Sequence, residues 1–171
     1  MRPIAIALAL LFACSPAAAQ SWKEYAYPAD FFSVAFPTEP KIETTVYRGA
    51  DGRRAEARVY SVSHDGSLFR MTVADLADPA MQESAVLDHA VRMLSQGSEI
   101  KVDIPHRISR VYGRQLSIAA PDGRYSSAAV FYHKGRLYQI EGTALPGALN
   151  ATSDAIRFQQ SLVFTDDSTN R

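Results

Sequence analysis

From Phe32 onward the chain repeats one local pattern: short stretches with an apolar residue at every second position, punctuated by glycine turns. Phe32, Val34 and Phe36 share one side of a segment that stops at Pro37, and Ile42, Thr44 and Val46 repeat the alternation. Ala57 and Val59, then Phe69, Met71 and Val73, continue it. Further on, Ile100, Val102 and Ile104 alternate before Pro105, followed by Leu116/Ile118, Ala129/Phe131 and Tyr138/Ile140. A period of two puts every second side chain on the same face, which is the mark of strands with one face buried. Proline cannot donate to a ladder, so Pro37 closes its strand. Asp51-Gly52, Asp65-Gly66, Asp122-Gly123 and Lys134-Gly135 fall between strand segments. Such pairs tolerate the positive φ of tight hairpins, so neighbours in sequence are expected to pair as an antiparallel meander.

Two segments follow a different period. Within Gln82 to Gln96, residues Val86, Leu87, Ala90, Val91, Met93 and Leu94 form one broad helical stripe. Asp88 and Arg92 stand four apart with the acid first, and Gly97 is placed to cap the helix end. Ala151, Ala155, Phe158 and Leu162 mark a shorter helix that Asn150 or Ser153 would cap. The expected order is about five strands, a helix, about four strands and a terminal helix. A twisted antiparallel sheet carrying both helices is an α+β domain. It is expected to span residues 20–165, with 166–171 as a polar tail.

The first nineteen residues read as an export leader. Arg2 supplies the positive end, Ile4 to Ala13 form an unbroken apolar run, and Ala17-Ala18-Ala19 offers a small-residue cleavage site. The run is shorter than the about 20 apolar residues that a membrane-crossing helix needs. A second reading takes Leu11-Phe12-Ala13-Cys14 as a lipobox, in which Cys14 would be lipidated. Cys14 is the single cysteine, so cleavage after Ala19 removes disulfides, thiol catalysis and cysteine metal ligation together. The chain has 18 basic and 18 acidic residues without a charge block, which gives no reason to expect nucleic acid as a partner. Its 47% hydrophobic content is that of a chain with a core.

The opening Trp22-Lys23-Glu24-Tyr25, then Phe32-Ser33-Val34-Ala35-Phe36-Pro37 and Glu39-Pro40, resembles the start of the PsbP/Mog1-like α/β/α sandwich domains. Gly135-Arg136-Leu137-Tyr138 and Phe158-Gln159-Gln160-Ser161-Leu162-Val163-Phe164 resemble that family's last strand and helix. The resemblance covers nearly all of the chain after the leader. It implies a mostly non-catalytic domain, of the kind found in photosystem II extrinsic subunits, a small-GTPase partner and exported bacterial proteins. No catalytic or ligand motif comes with it.

No G-x-S-x-G, H-E-x-x-H, calcium loop, G-x-G-x-x-G or Walker pattern occurs. The pairs His64-Asp65 and Asp88-His89 read as surface residues, and nothing in the spacing brings His106 to His133. No catalytic residue, metal ligand or cofactor is therefore assigned. Tyr132, His133, Lys134, Arg136 and Tyr138 cluster around one turn, while Arg53, Arg54 and Arg124 decorate others. Tyr and Arg carry much of the energy of interfaces, so this hairpin is the candidate binding patch. Trp22, Tyr25 and Tyr27 are expected to be covered by the terminal helix. The functional expectation is a non-enzymatic exported accessory module that binds another envelope protein or a small ligand, in the periplasm or outside the cell. The alternatives are a hydrolase assembled from distant strands and a lipid-anchored envelope component.

Overall fold

The computed structural model describes residues 22–76 and 82–165. The leader with Cys14, and the tail 166–171, lie outside the described residues. The chain runs β1 (Lys23–Tyr27), a 3-10 turn (Pro28–Asp30), β2 (Phe32–Phe36), β3 (Lys41–Arg48), β4 (Arg54–His64), β5 (Ser67–Asp75) and α1 (Glu83–Leu94). It continues with β6 (Glu99–Ile108), β7 (Val111–Ala119), β8 (Tyr125–His133), β9 (Arg136–Ala144), α2 (Ala151–Gln160) and β10 (Val163–Phe164). The expected alternation of five strands, helix, four strands and helix is present, with β10 added.

The strands form two sheets rather than one. The larger has seven strands in the order β3-β4-β5-β9-β8-β7-β6, antiparallel at every pairing. After β5 the chain passes through α1 to the far edge of the sheet, and β6 to β9 then step back until β9 lies against β5. Two meanders thus meet in the middle, from Ser67↔Ala144 to Asp75↔Arg136. The smaller sheet, β1-β2-β10, is separate. Phe32, Val34 and Phe36 are fully buried in the same core as Tyr60, Phe69, Met71, Tyr138, Ile140 and Phe158. This small sheet and α2 therefore cover one face of the large sheet. The other face carries α1, whose Val86, Leu87, Ala90 and Val91 meet Ala57, Ala74, Leu116, Ala128, Val130 and Leu137. The result is an α+β sandwich with the seven-stranded sheet in its middle.

Close approach fixes α2. A Cβ on Gly142 of β9 would sit 2.5 Å from the carbonyl oxygen of Ala155, so only glycine lets the helix lie this near the sheet. Trp22 joins the same layer, edge-on to Phe69 at 5.0 Å with Arg157 4.7 Å above its ring. Tyr27 lies instead against Phe32 and Tyr60.

Turn and cap chemistry agree with the sequence in part. Asp65 and Gly66 (φ 45° and 71°) and Lys134 and Gly135 (φ 49° and 77°) are both left-handed pairs, as a two-residue hairpin turn requires. The β6–β7 hairpin turns through Ser109 and Arg110 with no glycine, at the cost of a left-handed Ser109 (φ 54°). Helix α1 ends at Ser95, whose N–H and Oγ both donate to the Val91 carbonyl, so Gly97 falls in the following turn. Asn150 is left-handed and makes no side-chain cap, while the Ser153 hydroxyl donates to the Asn150 carbonyl instead of capping. Asp88 binds Arg114 of β7 at 2.5 Å rather than Arg92.

Candidate functional site

The α1-side face of the large sheet is only half covered. A helix of twelve residues spans about 18 Å, whereas strands of nine to eleven residues span about 30 Å. The strands change character where the helix ends. Along β9 this face reads Leu137, Gln139, Glu141, Thr143; along β5 it reads Ala74, Thr72, Arg70, Leu68; along β8 it reads Val130, Ala128, Ser126. Apolar or small residues sit under α1, and beyond it the residues are polar apart from Leu68.

That polar half is concave. One cleft of about 250 Å³ lies between the end of α1 and the β7–β8 turn, lined among others by Met93, Gln96, Ser98, Arg124, Ser126 and Thr143. A shallower one of about 480 Å³ runs on toward β3 over Val59, Ser61, Leu68 and Thr72. Arg70 lines both clefts. It faces Glu141 across the β5–β9 ladder, yet among the described residues its guanidinium makes no hydrogen bond or ion pair. The Ser126 and Thr143 hydroxyls lie 2.8 Å apart, and Thr143 Oγ1 donates to Glu141 Oε1 at 3.3 Å. This chain of hydroxyls ends on the Glu141 carboxylate and leaves Arg70 available. Arg124 stands at the rim, paired at 2.7 Å with Asp122 of its own turn.

Three other arginines of the large sheet, Arg58, Arg114 and Arg136, are already engaged with carboxylates. Arg58 Nε lies 2.9 Å from both Asp30 carboxylate oxygens, and its other nitrogens reach Asp75. Arg136 joins Asp75 at 2.9 Å and donates to the Ala29 carbonyl at 2.8 Å. Tyr60 completes the group by donating a short hydrogen bond to Asp30. Burial would raise the Asp30 pKa, but the hydrogen bonds from Arg58 and Tyr60 and the charges of Arg58 and Arg136 outweigh it and hold the carboxyl below its ordinary value. The same contacts push the Arg58 pKa up, and burial together with the ionised Asp30 raises that of Tyr60. This network fastens the 3-10 turn to β4, β5 and β9, which is a structural task. Arg114 is likewise held by Asp103 and Asp88.

The β8–β9 hairpin does not present its five singled-out residues as one surface, because alternate residues of a strand face opposite ways. Tyr138 is 1% exposed and lies edge-on to Phe164 in the core. Tyr132 packs against the α1-side core, His133 stacks near Phe164 at 5.9 Å, and Arg136 belongs to the Asp30 network. Lys134 occupies the left-handed turn. The histidines are equally dispersed. His64 meets Asp65, His89 bonds the Arg48 carbonyl, and His106 packs on Phe131, where burial lowers its pKa. None of the four lines either cleft. Among the described residues no group of three or more His, Cys, Asp or Glu is placed to hold a metal ion. The groove had a sequence signal that goes unread when only apolar positions are followed: the polar partners in the alternation, Arg70, Thr72, Ser126, Glu141 and Thr143, are the ones the helix leaves open.

Comparison with solved structures gives the class. The cyanobacterial PsbP (CyanoP) of Synechocystis sp. PCC 6803 superposes with a TM-score of 0.55 at 14% identity, covering 90% of this chain and 98% of its own. The fold is therefore PsbP-like, in agreement with the resemblance carried by the strand and helix segments. A Pseudomonas aeruginosa protein of unknown function, described as a putative regulator, is similar at a TM-score of 0.40 and 11% identity over 79% of this chain and 90% of its own. No protein-family model and no curated protein sequence matches this chain. Among the described residues no helix is long and apolar enough to cross a membrane.

Proposed function

We propose that this protein is an exported, non-enzymatic binding module of the cell envelope whose open sheet face takes a small ligand bearing an anionic group. The observation that carries this reading is Arg70. It stands at the junction of two clefts without a protein partner among the described residues, while Arg58, Arg114 and Arg136 are each committed to carboxylates. A guanidinium presents a planar fork of donors suited to a carboxylate or phosphate. Ser126, Thr143 and Ser98 supply neutral hydrogen-bonding groups within the same wall. Glu141 disfavours ligands with negative charge at both ends and favours one whose second group is neutral or cationic.

Export is supported by the leader's charge, apolar run and Ala17-Ala18-Ala19 site. Intact mass of the protein recovered from its native host tests this directly. A chain starting at Gln20 is expected, whereas one starting at a lipidated Cys14 would give the envelope-anchored form. The binding reading is tested by thermal shift against acetate, succinate, glutamate, inorganic phosphate and glycerol phosphate, with Arg70→Gln in parallel. At least one anion is expected to raise the melting temperature of the native protein and leave Arg70→Gln unmoved. An equal rise in both, or no rise with any anion, refutes it.

A further inference from the structure

The two edges of the large sheet are treated differently. An unpaired edge offers a row of backbone donors and acceptors to any passing strand, and proteins blunt such edges with prolines, bulges and charges. β6 carries both of the first two devices: Pro105, which has no N–H, and a register shift between Ile100 and Val102. β3 carries neither. Its eight residues pair with β4 in unbroken register from Lys41↔Ser61 to Arg48↔Arg54.

β3 is also the strand whose alternation misleads. Ile42, Thr44 and Val46 have the pattern of a buried face, yet Ile42 is 54% and Val46 52% exposed. They lie on the α2-side face of the sheet, beyond the reach of α2 and the small sheet. Beside Val46 a shallow hollow of about 310 Å³ is lined by Thr44, Thr45, Val46, Arg54, Ala55 and Glu56.

We infer that β3 pairs antiparallel with β3 of a second copy, making one continuous sheet across a two-fold axis at Thr44. The axis must stand perpendicular to the sheet so that like faces join, which restricts the partners to residues of the same parity. With Thr44 opposite Thr44 of the second copy, Ile42 falls opposite Val46 and Val46 opposite Ile42. Both half-exposed aliphatic pairs are then covered, and Ile42 of each copy enters the hollow beside Val46 of the other. On the opposite face Glu43 meets Thr45, and Lys41 meets Tyr47. No like charges face each other within the strand. A two-fold contact counts every favourable pair off the axis twice, as isologous interfaces do. A second copy fits this edge better than a foreign strand because β3 is complementary to itself in this one register.

The test is Thr44→Cys in the full chain with Cys14→Ser. Opposed residues of an antiparallel pair have Cα atoms about 4.5–5.5 Å apart, within the span of a disulfide. Mild oxidation is expected to give a covalent dimer from Thr44→Cys. Thr45→Cys, whose symmetry mate lies two residues along, is expected to give no covalent dimer. In light scattering the native protein should weigh twice the chain mass, and Val46→Lys should weaken the dimer roughly tenfold or more with an unchanged melting curve at low concentration. A native monomer at micromolar concentration with no Thr44→Cys cross-link overturns the inference. So does equal cross-linking at Thr45, or a Thr44→Cys adduct with a different protein in place of the dimer.

Discussion

Replacing Arg58 by methionine should unfasten the Asp30 network and leave a pH signature. Asp30 is 3% exposed and receives two hydrogen bonds from Arg58, so the substitution strands a buried carboxylate. Removing one partner of a buried ion pair costs about 3–5 kcal/mol. Two features reduce that here. The Arg58 side chain is 21% exposed, and Asp30 keeps Tyr60 and the Arg136 guanidinium at 3.6 Å. A loss of about 2–4 kcal/mol follows, or about 4–16 °C in melting temperature for a domain of this size. The pKa of Asp30 is depressed below its ordinary 3.8 in the folded protein. Its contribution is therefore present above that value and is lost as pH falls through the folded pKa. The gap between native and Arg58→Met should be widest near neutrality and should narrow in acid, where a protonated Asp30 no longer needs the guanidinium. Adding Asp30→Asn to Arg58→Met should recover part of the loss, since the stranded charge is gone. Urea unfolding of the three proteins at neutral and acid pH measures all of this. A single-substitution cost below about 1 kcal/mol, or a cost independent of pH, would refute the reasoning.

Gly142→Ala should drive the added methyl into the Ala155 backbone, 2.5 Å from its carbonyl oxygen, and lower stability by about 1–3 kcal/mol or more in chemical denaturation. Phe158→Ala opens a cavity beneath α2, where the ring is fully buried against Phe36 and Phe69, and should cost about 3–5 kcal/mol by the same assay. Burial raises the Tyr47 phenol to about 12, and burial with nearby negative groups does the same for Tyr27, so phenolate absorbance should show both titrating later than the ordinary tyrosine pKa of 10.0.

The strand order and its limits can be traced to particular residues. The Asp65-Gly66 and Lys134-Gly135 pairs marked their hairpins because left-handed backbone is a local requirement with a local signature. Ser109-Arg110 carried none, since the strain there is sustained by the paired strands on either side. The division into two sheets was not legible, because period-two alternation reports that a face is buried and says nothing about which sheet buries it. Phe32 to Phe36 and Phe69 to Val73 look alike in sequence, yet they approach one core from opposite layers. The same ambiguity hid the exposure of Ile42 and Val46. Side-chain direction around the β8–β9 turn was equally hidden: Tyr132 and Tyr138 flank one turn but point into different cores. Arg70 and Glu141 are seventy-one positions apart and meet only because β5 and β9 are the strands at which the two meanders join. That pairing is a property of the topology, and no short-range pattern encodes it.

Chemical-shift mapping of the nitrogen-labelled protein during addition of carboxylates and phosphates tests the central claim most directly. Binding at the open half of the α1-side face predicts saturable shifts at Arg70, Ser98, Ser126, Glu141 and Thr143, absent in Arg70→Gln. Shifts confined to the β8–β9 hairpin around Lys134, or none at any residue lining the two clefts, would contradict it.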